Sequence, residues 1–259
     1  MFTKIVCWFV AVNALAGAIL LLFWPAPHTD TLFFWEIKPP LNAALFGALY
    51  LGGAVVVGYL TYKGQWEPAR FLVPVLVSAG IFISLVTFLH LDKFIAGFKL
   101  VYWLIVYIGA PLLAIFIYFQ QERLGASWVN TMPLAPSIRT AALVIGTFLC
   151  LLGAWLIVAP NWAVAQWPWQ TSPLMVRIFA AWFAAFGVGL LWFKVEGNWQ
   201  NLRYIANLMI AASTLDLLMV VVHRQDLAAP GLSLWIYCFH LAAFGLAGAF
   251  MHWQQMQIQ

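Results

Sequence analysis

Apolar residues run through this chain in long unbroken stretches. They follow neither the three-to-four spacing of a soluble amphipathic helix nor the alternation of a half-buried strand. Eight stretches reach the roughly 20 residues that a helix needs to cross a bilayer. They are Ile5–Trp24, Ala43–Tyr62, Phe71–His90, Leu100–Phe119, Thr140–Ala159, Leu174–Phe193, Tyr204–Val222 and Leu232–Met251. All are apolar around their whole circumference, whereas the strands of a membrane barrel alternate, so the pattern predicts helices. Lys4 flanks the first stretch, but Trp24-Pro25-Ala26-Pro27 makes a poor cleavage site. That stretch is therefore expected to be a span of the fold, not a removed leader.

The polar punctuation repeats. An offset of 133 residues lays Pro40–His90 on Pro173–His223 without a gap, with 11 identities in 51 positions. Shared Leu and Val carry little information here. The loop carries more: Gly-x-Trp-x-x-x-Arg occurs as Gly64 to Arg70 and again as Gly197 to Arg203. With small shifts, Trp35 meets Trp169 and Trp103 meets Trp235. The expected fold is an all-α integral membrane protein of eight helices in two tandem four-helix repeats. The first occupies residues 1–120 and the second 140–259, joined by a polar linker over 121–139. Four is even, so both repeats start from the same side, and the expected symmetry is a pseudo-two-fold axis along the membrane normal.

Composition agrees with this reading and excludes others. Of 259 residues, 65% are apolar and 8% charged, against roughly 25% charged in a soluble domain. A soluble globule, a disordered chain and a nucleic-acid binder are excluded, and the lipid bilayer is the partner implied. The 12 basic residues outnumber 8 acidic ones. Seven of them fall on the face holding both termini and five on the other. The positive-inside rule then predicts a multi-pass protein of the cell membrane with both termini cytoplasmic. Cys7, Cys150 and Cys238 lie in apolar stretches, odd in number and without metal-site spacing, which reads as buried free thiols.

Few residues carry candidate chemistry. Asp216 falls inside the seventh stretch, where a charge costs at least roughly 2.5–3.5 kcal/mol on insertion scales. Arg177 is its candidate partner across the bundle, and Ser213 a local one. His90 and His223 occupy equivalent places at the ends of the third and seventh stretches. Neutral imidazoles so related could ligate a haem or metal from two sides, or simply complement two helix C-termini. Glu36 precedes the second stretch, and His240 lies within the eighth. Asn13, Tyr107 and Asn207 lie within the first, fourth and seventh, as hydrogen-bonding groups or cavity wall. Ala48, Gly52, Ala54 and Gly58, with Ala180, Ala181, Ala184 and Ala185, have small-xxx-small spacing and point to close helix packing, with the second and sixth helices against each other. Fifteen tryptophans suit two interfacial bands.

Three functions follow as expectations. The first is a transporter or permease for a small or amphiphilic molecule bound between the repeats near the outer leaflet, with Asp216, His90, His223, Arg177, Glu36 and His240 as cavity-lining candidates. The second is an accessory subunit of a larger membrane complex. The third is a haem- or quinone-binding redox subunit. No nucleotide-binding, zinc-protease or serine-hydrolase motif appears in the sequence. The residues assign neither an enzyme class nor a cofactor.

Overall fold

A computed structural model describes residues 2–24, 28–124, 132–228 and 231–258. Among these residues the regular elements are helices, and the only extended pairings are two isolated bridges, Pro133 with Asn198 and Trp169 with Leu227. Eight helices are long and apolar enough to cross a membrane, so the chain is a polytopic membrane protein. We number them α1 (Phe2–Phe23), α2 (Pro40–Lys63), α3 (Leu72–Leu89), α4 (Phe98–Arg123), α5 (Pro136–Val158), α6 (Pro173–Glu196), α7 (Trp199–Val222) and α8 (Leu232–Met256). Of the linker expected over 121–139, its first residues extend α4 and its last begin α5, while residues 125–131 lie outside the described residues.

The helix ends are where the sequence put its punctuation. α2, α5 and α6 begin with proline in the first turn, where the missing N–H has no helical partner to lose. α2 and α6 end at Gly64 and Gly197, with φ of 65° and 62°. This left-handed geometry favours glycine and lets the chain reverse at once into the next helix. The side chain of Ser172 caps α6 by accepting from Met175 N at 3.2 Å. That of Asn198 caps α7 by accepting from Gln200 N at 3.1 Å.

Burial identifies the centre of the bundle. The spans of α2 and α6 are 56% and 67% buried, whereas those of α1 and α8 are each 17% buried. α2 packs mainly on α1 and α7, and α6 mainly on α5 and α3; α4 packs on α3 and α8 on α7. The small residues of α2 and α6 therefore serve these seams, not the direct α2–α6 seam expected from the sequence. At the α5–α6 crossing a Cβ on Gly153 would lie 2.7 Å from Ala180 O, and one on Gly187 2.8 Å from Cys150 N. Such backbone proximity replaces the hydrophobic driving force that lipid cannot supply between helices. Large apolar side chains such as Val55, Ile81, Leu112, Leu151 and Phe239 are exposed, as a lipid-facing surface requires.

The bundle has two faces, named here after His90 and Arg70. On the His90 face the connections after α1 and α5 fold back on the bundle, with short helices at Thr29–Leu32 and Pro160–Gln166. Trp35 and Trp169 are both 2% exposed in the core, so these aromatics are not an interfacial band. Trp103 is 1% exposed and Trp235 72%; those two aligned tryptophans occupy unlike environments.

Candidate functional site

A cavity of about 320 Å³ opens among α1, α2, α3 and α4, and α6 and α7 close its far wall through Trp182, Phe186 and Leu208. On α2 its lining runs from Leu49 to Val57, about 12 Å along the helix at about 1.5 Å per residue. Apart from Asn13, Tyr50, Tyr102 and Tyr107, the lining is aliphatic and aromatic, and it includes no Asp, Glu, Lys, Arg or His. Phe9 and Leu32 belong to it and are also 44% and 52% exposed. The cavity thus has an edge at the lipid-facing surface.

Local sequence explains the shape. Pro111 has no N–H to give to the carbonyl of Tyr107, four residues back. Just before it, Ile105–Gly109 widens into a π-turn, a distortion frequent at functional sites. Ser84 of α3 donates its hydroxyl to the Tyr107 carbonyl at 3.3 Å, supplying the donor that proline withholds. Gly80 makes this approach possible: a Cβ there would lie 2.1 Å from Pro111 Cγ and 2.7 Å from Tyr107 O. Gly53, in contrast, lies in the cavity wall, and a Cβ there would meet no atom within 4 Å.

Two polar pairs interrupt the apolar lining. Tyr102 donates its hydroxyl hydrogen to Asn13 Oδ1, and Asn13 Nδ2 donates to Phe9 O at 2.8 Å. The hydroxyls of Tyr50 and Tyr107 bond each other. The ring of Tyr50 meets that of Trp182 edge-on, with centroids 6.4 Å apart, and the buried Nε1 of Trp182 has no acceptor. Trp103 also faces the cavity, but its Nε1 donates to Thr87 Oγ1 at 2.9 Å.

None of the six charged or imidazole candidates from the sequence lines this cavity. Most of them gather toward the His90 face. Arg177 Nη1 lies 2.8 Å from His90 Nε2, and its Nε donates to Ile157 O at 2.9 Å. Burial and the adjacent Arg177 cation lower the pKa of His90 below its ordinary 6.5. His90 then receives Arg177's hydrogen as a neutral acceptor. His223 lies beside Asp226, 3.8 Å away, so the two aligned histidines have separate partners. Glu36 forms an exposed pair with Lys38 at 2.5 Å. His240 lies between the rings of Phe148 and Phe183. Asp216 is 8% exposed with its Oδ1 unpartnered. The expected local partner, Ser213, donates to Leu241 O instead, at 2.5 Å. Among the described residues, no group of three or more His, Cys, Asp or Glu is placed to hold a metal ion.

Two clusters tie the halves of the chain together. On the His90 face, buried Asn42 accepts from Trp169 Nε1 at 2.8 Å and donates to Lys38 O at 2.8 Å and Gln170 O at 3.2 Å. Beside it, Asp226 accepts from Leu41 N at 2.9 Å, placing a carboxylate at the positive start of α2. On the Arg70 face, Arg70 pairs with Glu122 at 3.0 Å and Glu196 at 3.6 Å, and Asn201 donates to Glu196 at 3.1 Å. The repeated loop arginine thus has a structural role here, and Trp66 Nε1 supports it by donating to Glu122 at 3.0 Å.

Asn13 and Tyr107 were legible as cavity candidates, whereas Asn207 bonds His252 at 2.7 Å. Tyr50, Tyr102 and Trp182 were missed. The available signal was a phenol or indole inside an apolar window, away from the interfacial belts where such groups find partners easily. Compared with known protein families, curated proteins and solved structures, the chain matches none.

Proposed function

We propose that the protein is a carrier or permease that binds a small amphiphilic molecule in the cavity between α1–α4 and the wall formed by α6 and α7. The observation that carries this reading is the cavity itself: mid-span, largely apolar, edged by lipid-facing residues, with a few convergent polar groups. Its size lies at the lower end of the roughly 300–1,000 Å³ common for small-molecule sites. The position modifies the expectation from sequence, since most of the wall comes from the first four helices and the second half supplies one side.

The proposal includes the architecture, two tandem four-helix repeats related by a pseudo-two-fold axis, in the cell membrane with cytoplasmic termini. Several features support it. α2 and α6 are both 24 residues long and end in the same glycine geometry. Short 3-10 turns follow α3 and α7 at Leu91–Lys93 and Arg224–Asp226. The cross-half contacts pair α2 with α7 and α6 with α3, and exchanging the halves converts either contact into the other.

The test uses a hydrocarbon carrying an alkyl diazirine, with the full chain in lipid nanodiscs. Light-induced adducts on the cavity residues of α1, α2 and α4 should saturate with probe. Gly53→Leu, which fills free space, should abolish them without lowering the unfolding midpoint. Adducts confined to lipid-facing residues, rising without saturation and unchanged in Gly53→Leu, would overturn the reading.

A further inference from the structure

We infer that the cavity selects an uncharged, lipid-soluble molecule carrying a hydrogen-bond acceptor such as a ketone, ester or quinone oxygen, and that Tyr50 and Tyr107 form the recognition point. This rests on the occupancy reading above and adds the chemistry of the occupant. The argument is an account of hydrogens. Two phenols bonded to each other use one hydroxyl hydrogen between them, and the second has no acceptor within the protein. The indole N–H of Trp182, beside Tyr50, also has no acceptor, but its nitrogen has almost no accessible surface and is closed to a ligand in the cavity. A buried donor left without a partner is costly, and the hydrocarbon of a bilayer core offers it no acceptor. A ligand oxygen beside the tyrosine pair would accept the free hydroxyl hydrogen. The second polar pair differs, because the one hydroxyl hydrogen of Tyr102 is already engaged by Asn13.

Charge is selected against by the same wall. No cation in the lining could meet a carboxylate or phosphate, and no anion could meet an ammonium group. Bringing either ion in would require desolvation without compensation. The exposed edge at Phe9 and Leu32 gives a lateral route from the bilayer, which suits a molecule already dissolved in lipid.

The test is competition against the saturable diazirine adduct, at equal mole fraction in the nanodisc bilayer. The competitors are 2-tridecanone, tridecane, laurate and dodecylamine. The ketone should compete about three- to tenfold better than the alkane of equal length, the ratio expected of one hydrogen bond, and better than either ion. A single Tyr→Phe change leaves the other phenol free to donate, so the informative variant is Tyr50→Phe with Tyr107→Phe. It should reduce the ketone's advantage while leaving the alkane unchanged. Equal competition by ketone and alkane, with a saturable adduct present, would refute the acceptor inference and leave the cavity reading intact. Tighter binding of laurate or dodecylamine would also refute it. If no adduct saturates, the cavity reading itself fails.

Discussion

Alanine at Gly80 and alanine at Gly53 should move stability in opposite directions. Both glycines lie inside helices that face the cavity, and both changes remove backbone freedom from the unfolded chain. In an unhindered helix that gain is about 0.8–1.0 kcal/mol. At Gly53 nothing opposes it, because a Cβ there meets no atom within 4 Å. At Gly80 the new Cβ would lie 2.1 Å from Pro111 Cγ and 2.7 Å from Tyr107 O. α3 and α4 must then separate by more than roughly 1 Å to restore ordinary carbon–carbon contact. Overpacking of this kind costs about 1–3 kcal/mol. The separation also weakens the Ser84 bond to the Tyr107 carbonyl, a further loss of about 0.5–1.5 kcal/mol. Gly80→Ala should therefore be destabilised by about 1–3 kcal/mol and Gly53→Ala stabilised by up to about 1 kcal/mol. Equilibrium unfolding in mixed micelles, followed by circular dichroism against the mole fraction of dodecyl sulfate, measures both. If Gly80→Ala proves as stable as Gly53→Ala, the Gly80–Pro111 seam and the cavity shape derived from it are wrong.

Two other outcomes are expected. His90 is neutral when it accepts from Arg177, and its pKa is lowered from 6.5, so the unfolded chain takes up its proton first. This contribution is complete above about pH 6.5 and declines as pH falls toward the lowered native value. The slope of unfolding midpoint against pH between 7 and 5 should be shallower in His90→Gln, and identical slopes would contradict the assignment. Arg70→Met strands Glu196, whose side chain is 5% exposed, beside the more accessible Glu122. The loss should fall near the lower end of about 3–5 kcal/mol, read by the same unfolding measurement, and a change within about 0.5 kcal/mol, as at an ordinary surface site, would contradict the buried-network description.

The spans were legible because lipid leaves the backbone little choice. Twenty apolar residues must form a helix that satisfies its own hydrogen bonds, and proline and glycine mark where it stops. The loop residues Gly64, Gly197 and Arg70 could also be singled out from their recurrence. Which residues meet was not legible, since it depends on helix rotation, and a helix apolar on every face has no preferred side to read. Asp216 drew attention by its charge, yet Arg177 points to His90 and Ile157 instead. Tyr50 and Trp182 carry no charge and resemble ordinary membrane aromatics in sequence. Only their position across a cavity gives them meaning. The π-turn was equally hidden, although Pro111 could be recognised as withholding a donor.

The clasp on the His90 face also bears on how the chain is made. The first turn of α2 is completed by Asp226, 185 residues later, and Asn42 gains its indole partner from Trp169, 127 residues later. A ribosome delivering this chain to the membrane places α2 long before either partner exists. The start of that helix must wait through the insertion of three more spans before Trp169 arrives and five before Asp226 does. The clasp therefore closes only when the last quarter of the chain arrives, and a translocation apparatus that shelters α2 meanwhile would be sheltering the end that holds buried Asn42.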